Sequence, residues 1–376
     1  MNRKMRRVAL LVHWANWNGY EHGLYELLIR WNRSPTPIVY FVEESILSHK
    51  LRQHNMVVRV LPPDEYQHGS KRRRGYLGFV GSLRYAKKLS QAFKLDGIEC
   101  VHASNVYSMI YGSLAAKWAR LPIVWYVHRT SATPYLTGFA AMVLRGCCRY
   151  IPDGVMVNSI ATLASLKLAP KQGAKVQLVY PSYMGGYGRR EGITPDPEYM
   201  TILLVGRLTE WKGQHVLLAA AKAFVPDKKV RFWLVANEQY EEKTYREMLQ
   251  QQIRSNGLWN ITLFDFVENL EEMIHKADLL LHTSVRAEPF SQVIVQAMAA
   301  GIPIIASTIG GPKEIILDGE TGLLIPPGDV GALRRSIRWM INHPEDRMEM
   351  GQKGMDRIKN HFSIELSLQR IMDYYQ

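Results

Sequence analysis

Three stretches of the chain carry residue types suited to holding a phosphate. The first is Gly206-Arg207-Leu208-Thr209-Glu210-Trp211-Lys212-Gly213, which follows the apolar run Thr201–Val205. A planar guanidinium and a point-charge ammonium on one loop suit a diphosphate. A solvated loop with two surface cations would carry the same residues. The second is Thr283-Ser284-Val285-Arg286-Ala287-Glu288-Pro289-Phe290-Ser291, with a helix expected from Phe290 to Ala300. Pro289 suits a first helical turn. The free amides of that turn suit an anion, and the Ser291 hydroxyl adds a donor. Glu288 stands just ahead, placed either to accept hydrogen bonds from a ligand's hydroxyls or to complement the helix dipole. The third is Ser307-Thr308-Ile309-Gly310-Gly311-Pro312-Lys313-Glu314. Its paired glycines either admit a ligand close to the backbone or make a tight turn.

All three follow short apolar runs, and ligands of open α/β sheets collect at the carboxyl ends of strands. In the first half the expected strands are Val8–His13, Ile38–Val42, Val57–Leu61, Cys100–Ala103, Ile123–Val127 and Gly154–Asn158. In the second half they are Thr201–Val205, Val230–Ala236, Ile261–Phe264, Leu279–His282 and Pro303–Ala306. Helical patterns lie between, such as Gly23–Trp31, Ser108–Ala119 and His215–Phe224. Continuous apolar strands alternating with helices indicate parallel sheets covered on both faces, so the expected fold class is α/β, with two doubly wound Rossmann-like domains. The segment Tyr180–Pro197 is dense in glycine and proline and reads as a surface loop or, between two complete α/β sets, as an interdomain hinge.

Composition narrows the function classes. A 47% hydrophobic, 22% charged chain of 376 residues is globular, and no apolar run is long enough to cross a bilayer as a helix. The opening segment Met1–Trp14 is basic like a signal peptide, but its apolar stretch is short and no small-residue cleavage site follows. A first buried strand is the better reading. Three cysteines, Cys100, Cys147 and Cys148, without metal spacing suggest reduced thiols in a cytoplasmic protein. The charge is uneven: residues 1–190 carry 27 Lys+Arg against 9 Asp+Glu, and the rest carry 20 against 25. That asymmetry implies an anionic partner for the first half.

The run Gly206-Arg207…Lys212-Gly213, Ser284…Glu288-Pro289-Phe290…Ala297-Met298-Ala299-Ala300-Gly301-Ile302-Pro303, then Gly310-Gly311…Glu314…Gly319…Thr321-Gly322-Leu323-Leu324 resembles the large retaining glycosyltransferase family 4, also called glycosyl transferases group 1. Sucrose and trehalose synthases and bacterial mannosyltransferases belong to it. The resemblance implies a GT-B architecture, with residues 1–188 as the acceptor-side domain and 189–360 as the nucleotide-sugar domain. Residues 361–376 would form a helix that crosses back to the first domain. It also implies transfer of a sugar from a nucleoside-diphosphate sugar to an acceptor hydroxyl, with no cofactor and no obligatory metal; no Asp-x-Asp tripeptide is present.

Matching positions carry expected roles. Arg207 and Lys212 would hold the donor diphosphate and stabilise the leaving group. Glu288 would be the first acid of the Glu-x7-Glu motif, facing sugar hydroxyls. His128, at the end of Ile123–Val127, would face the sugar. These four form the expected catalytic set. Gly19, Gly206, Phe290, Ser291, Gln296 and Val267 form the donor-binding set. Glu21 and Asn105 are acceptor-side candidates. The chain departs from the family at three places. Asn18 replaces the first glycine of the N-terminal loop, Ala236-Asn237 replaces a Gly-x-Gly, and Gln296 stands where the second acid accepts both ribose hydroxyls. A neutral amide there should weaken donor binding by about 1–2 kcal/mol.

Two other readings compete. A non-catalytic GT-B relic acting as a binding or scaffold subunit would explain Gln296 and Asn18 but has no need of Arg207, Lys212, Glu288 and His128 together. Nucleic-acid binding would explain the charge, but no recognition signature accompanies it. The basic segment 71–88, from Lys71-Arg72-Arg73-Arg74 through Tyr85 to Lys88, resembles an interfacial membrane segment or a flexible acceptor-side loop before a solvated helix. The resulting expectation is a cytoplasmic enzyme of cell-surface glycan or glycolipid synthesis. Its acceptor would be an anionic or lipid-linked glycan, and it would sit peripherally on the inner membrane leaflet.

Overall fold

A computed structural model describes residues 5–13, 19–64, 79–128, 138–168, 175–183, 185–236, 243–264, 267 and 269–376. The chain forms two compact units, Met1–Met184 with Ile364–Gln376, and Gly185–Ser363.

In the first unit, strands β1 (Val8–Val12), β2 (Ile38–Phe41), β3 (Val58–Val60), β4 (Cys100–Ala103), β5 (Ile123–Val127), β6 (Gly154–Val157) and β7 (Lys175–Leu178) make one parallel sheet in the order β3-β2-β1-β4-β5-β6-β7. Successive side chains leave a strand on opposite faces. Ala9 and Leu11 accordingly join one apolar cluster, with Tyr40, Leu89, Phe93 and Val101. Val8, Leu10 and Val12 join the other, with Leu28, Phe41 and Met156. Both faces are covered, so β1 needs an unbroken apolar run, and it has one.

The segment Ile364–Tyr374 is helical and packs on the second of these faces. Leu368, Ile371, Met372 and Tyr375 are buried there, between 3% and 7% exposed apart from Tyr375 at 1%. The Tyr375 carbonyl accepts from the Arg6 amide at 3.1 Å, and the Tyr375 hydroxyl bonds His102 Nδ1 inside β4. Ser367 Oγ donates to the Tyr180 carbonyl at 2.9 Å. The last residues of the chain thus complete the core of its first unit.

In the second unit, β8 (Met200–Gly206), β9 (Val230–Ala236), β10 (Ile261–Phe264), β11 (Leu279–His282), β12 (Ile304–Ser307) and β13 (Leu323–Ile325) are parallel in the order β10-β9-β8-β11-β12-β13. In both sheets the strand order reverses beside the first strand, at β1/β4 and at β8/β11. That reversal opens a crevice at the carboxyl ends of those strands.

Two strands, β7 and β13, fall where the sequence suggests none. Both are sheet edges. An edge strand pairs on one side only, so Lys175 and Gln177 interrupt β7, and β13 has only three residues. The helix expected from Phe290 begins instead at Gln292, with Ser291 at its cap. Pro289 therefore lies ahead of the helix, not in its first turn.

Candidate active site

The second unit gathers its chemistry at the ends of β8 and β11. Beyond Gly206 the chain makes a short 3-10 turn, Glu210–Lys212, and enters the helix Gln214–Ala221 through Gly213. Gly213 has φ +74°, and a Cβ there would stand 2.0 Å from the Thr283 carbonyl oxygen. Only glycine permits that approach. Thr283 Oγ1 then donates to the Gly213 carbonyl at 2.9 Å, and the Val285 amide donates to the Trp211 carbonyl at 2.8 Å. These contacts stitch the loop after β8 to the loop after β11 and fix Lys212 against Glu288.

The centre of the site is the Glu288 carboxylate, whose side chain is 7% exposed. Lys212 Nζ donates to Oε2 at 2.7 Å, and the Ser284 hydroxyl donates to Oε1. His282 Nε2 stands 2.8 Å from Oε1, close enough for an ion pair though off the axis of a well-formed hydrogen bond. Burial pushes the Glu288 carboxyl up. The Coulombic pull of His282 and Lys212, with the Lys212 hydrogen bond, outweighs burial and holds it well below the usual carboxylate range. Glu288 therefore does not serve the helix dipole; its carboxylate is the hub of an internal ionic network.

Arg207 and Lys212 share the ring of Trp211. The guanidinium lies 5.7 Å and the ammonium 4.6 Å from the ring centroid. An indole face attracts cations, so Trp211 draws the two charges to one place. Gln214 is fully buried, and its Nε2 donates to the Arg207 carbonyl at 2.7 Å, which fixes the backbone that carries Arg207. The arrangement supplies two cations beside an ionised carboxylate, at the reversal of strand order.

The glycine pair Gly310-Gly311 is required by the protein's own packing. A Cβ on Gly310 would come within 2.4 Å of the Glu288 carbonyl oxygen, and one on Gly311 within 2.5 Å of that of Pro289. The Gly311 amide donates to the Glu288 carbonyl at 2.9 Å. The pair is what lets the Glu288 loop lie flat on the turn after β12.

Other expected residues fall as follows. Gly206 is the last residue of β8, and a Cβ there would meet only ordinary contact with the Lys212 stem. Phe290 is half-buried against Phe362, with ring centroids 5.9 Å apart. Ser291 is buried, and Gln296 is exposed on the helix Gln292–Ala299. Val267 is half-buried beyond β10. In the first unit, Gly19 opens the helix Gly19–Ile29 beyond β1, and Glu21 lies buried in its first turn. Asn105 caps the helix Val106–Ala119: its side-chain oxygen accepts from the Ser108 amide at 2.9 Å. His128 follows β5 directly, with its ring on Tyr126, centroids 3.9 Å apart, and its carbonyl accepts from Asn158 Nδ2. Asn18 and Asn237 lie outside the described residues. Of the expected set, Gly206, Arg207, Lys212 and Glu288 come together at β8/β11, while Gly19, Glu21, Asn105 and His128 occupy strand ends of the other unit.

Sequence reasoning overlooked His282, Trp211 and Gln214. His282 stands at the carboxyl end of a strand, as His128 does, so the same positional rule finds it. Trp211 lies between the two cations in sequence, which is signal enough for a shared ring. Burial pushes the Cys100 and Cys148 thiols up to about 12, which leaves both poor nucleophiles.

Of the basic segment 71–88, residues 71–78 lie outside the described residues. The remainder belongs to the helix Phe79–Leu95, where Tyr85, Ala86 and Leu89 face the core and Lys88 donates to the Pro62 carbonyl at 2.9 Å. Among the described residues no helix is long and apolar enough to cross a membrane.

Comparison with known proteins agrees with this geometry. Residues 17–192 match the family described as Glycosyltransferase Family 4, and residues 189–357 match Glycosyl transferases group 1. The capsular polysaccharide biosynthesis glycosyltransferase CapM of Staphylococcus aureus is 26% identical over 357 residues, 86% of this chain and 91% of that protein. Trehalose synthase of Pyrococcus horikoshii is 28% identical over 187 residues, 47% of this chain and 44% of that one. Several curated relatives are matched over only 37% to 44% of their own length. Among solved structures, Anabaena Alr3699/HepE in complex with UDP superposes with a TM-score of 0.79 at 22% identity, covering 98% of this chain and 99% of that one. The fold is GT-B, built from two Rossmann-like sheets.

Proposed function

The chain belongs to glycosyltransferase family 4, and from that premise we propose that it is a retaining glycosyltransferase moving a sugar from a nucleoside diphosphate to an acceptor hydroxyl. The observation that carries the reading is the Arg207–Trp211–Lys212 cation cluster against the ionised Glu288 at the end of β8 and β11. Arg207 and Lys212 neutralise charge on the departing diphosphate. Glu288 accepts hydrogen bonds from the donor sugar. With no carboxylate assigned to the sugar's far face, the departing phosphate oxygen takes the acceptor's proton on the same face that the leaving group vacates.

In this reading residues 189–360 are the donor domain and residues 1–188 the acceptor domain, with the C-terminal segment belonging to the latter. A uridine diphosphate sugar is the first donor to try, because Alr3699/HepE was solved with UDP and with UDP-glucose. The acceptor is an anionic or lipid-linked glycan of the cell surface. The name of CapM and the basic first half, 27 Lys+Arg against 9 Asp+Glu, both support that class. Peripheral binding to an anionic membrane is supported by the charge of the first half, while Tyr85, Ala86 and Leu89 of the helix Phe79–Leu95 are turned into the core. Incubation with a panel of UDP-, GDP- and ADP-sugars, following release of nucleoside diphosphate, tests catalysis and identifies the donor. Release from none of them defeats the proposal. Co-sedimentation with anionic liposomes at low salt tests the membrane part, which fails if the protein stays in the supernatant.

A further inference from the structure

Lys212 has two claims on it. In this structure its ammonium is 2.7 Å from Glu288 Oε2, with side-chain exposures of 16% and 7%. A diphosphate held by Arg207 and Lys212 draws that ammonium away from the carboxylate. Removing one partner of a buried ion pair leaves an uncompensated charge, which is far more costly than the pair is favourable. Something must hold Glu288 when Lys212 lets go. Two groups remain on its other oxygen: the neutral Ser284 hydroxyl and His282 Nε2 at 2.8 Å. His282 is itself 4% exposed and sits on β11, an interior strand paired with both β8 and β12, so its backbone is fixed beside the carboxylate.

We propose that His282 is a positioning residue that keeps the Glu288 carboxylate compensated and oriented while Lys212 transfers from Glu288 to the donor diphosphate. The inference rests on the donor-site reading above and adds a sequence of events to it. Without His282, Lys212 stays with Glu288 and is withheld from the phosphates. The residue touches neither sugar nor phosphate in this account; it acts through Glu288.

The test is a double-mutant cycle read by calorimetric binding of UDP, GDP and ADP in turn, which needs no acceptor and no turnover. His282→Phe keeps a buried aromatic ring and removes both ring nitrogens; its affinity for the preferred nucleotide should fall about 10- to 100-fold. His282→Gln keeps a donor and should lose less. Glu288→Gln frees Lys212 and should bind the nucleotide at least as tightly as the native protein. In the Glu288→Gln background, His282→Phe should cost less than about 3-fold, because there is no longer a charge to compensate. A merely structural histidine would cost the same in both backgrounds, and that result overturns the proposal. So does a His282→Phe protein that binds like the native one while Lys212→Ala does not bind; the donor-site reading then stands and this inference alone falls. If the native protein binds none of the three nucleotides, the donor-site reading fails and takes this inference with it.

Discussion

At the scale of single residues, the site turns on how few charges it uses. The second unit, Gly185–Ser363, carries 21 Lys+Arg against 23 Asp+Glu, so no general positive field assists the diphosphate. Two placed cations do. Lys212→Ala should therefore cut turnover by about 10²- to 10³-fold, the usual effect of losing one leaving-group stabiliser. Steady-state kinetics measures this, with circular dichroism to confirm folding; activity within threefold of native would remove Lys212 from the mechanism. Gln296 is a separate case. It is exposed on the second turn of the helix Gln292–Ala299 and so accessible to a ligand. Gln296→Glu should lower the donor Michaelis constant about 5- to 30-fold with turnover retained. An unchanged constant would place the ribose elsewhere. Both residues were readable in the sequence because their motif positions are fixed by spacing along one loop or one helix. The network around Glu288 was not. Lys212 and Glu288 are 76 positions apart, and only the packing of two loops makes them neighbours. Spacing reports local geometry and is silent about such pairs.

At the scale of elements, positions of strands were legible wherever both faces are buried. Val230–Ala236 and Leu279–His282 run as their apolar stretches suggest. Strands β7 and β13 escaped because Lys175 and Gln177 break the apolar run of one and the other has only three residues. The helix Pro344–His361 escaped because its buried residues, Met350, Gly351, Gly354 and Ile358, are too small and sparse to mark an apolar stripe. Loops matter as much as elements here. The seam between the β8 and β11 loops depends on Gly213, where a Cβ collides with the Thr283 carbonyl. Gly213→Ala combines that overlap with an unfavourable left-handed backbone and should cost about 2–4 kcal/mol in urea unfolding. It should also lower turnover, because Lys212 precedes it directly. A variant with native stability would show that the seam can relax.

At the scale of the whole molecule, the two ends of the chain meet in the first unit. The contact has a pH signature. Burial lowers the His102 imidazole to about 4, and the Tyr375 hydroxyl bonds its Nδ1. In the unfolded chain the same group titrates near 6.5, so between those values the unfolded state binds the extra proton. The stability His102 contributes is complete above about pH 6.5 and is lost as pH falls toward 4. Between pH 7 and pH 5 the native protein should lose about 2 kcal/mol from this one group. His102→Leu should flatten the slope in parallel urea titrations, and an unaltered slope would exclude the residue as its source.

The C-terminal segment also bears on how the molecule is made. Residues Leu368, Ile371, Met372 and Tyr375 bury about 6–12 kcal/mol worth of apolar side chain, comparable to the whole stability of an ordinary domain. They belong to the unit that contains residues 1–184 and are synthesised only after the whole second unit. At about 5–20 residues per second, the first sheet waits on the order of 10–35 s after Met184 for the piece that seals it. The second unit can close during that interval, so the order of completion is the reverse of the order of synthesis. For that time the face later covered by Tyr375 is open, and its protection falls to whatever chaperones the translating ribosome recruits.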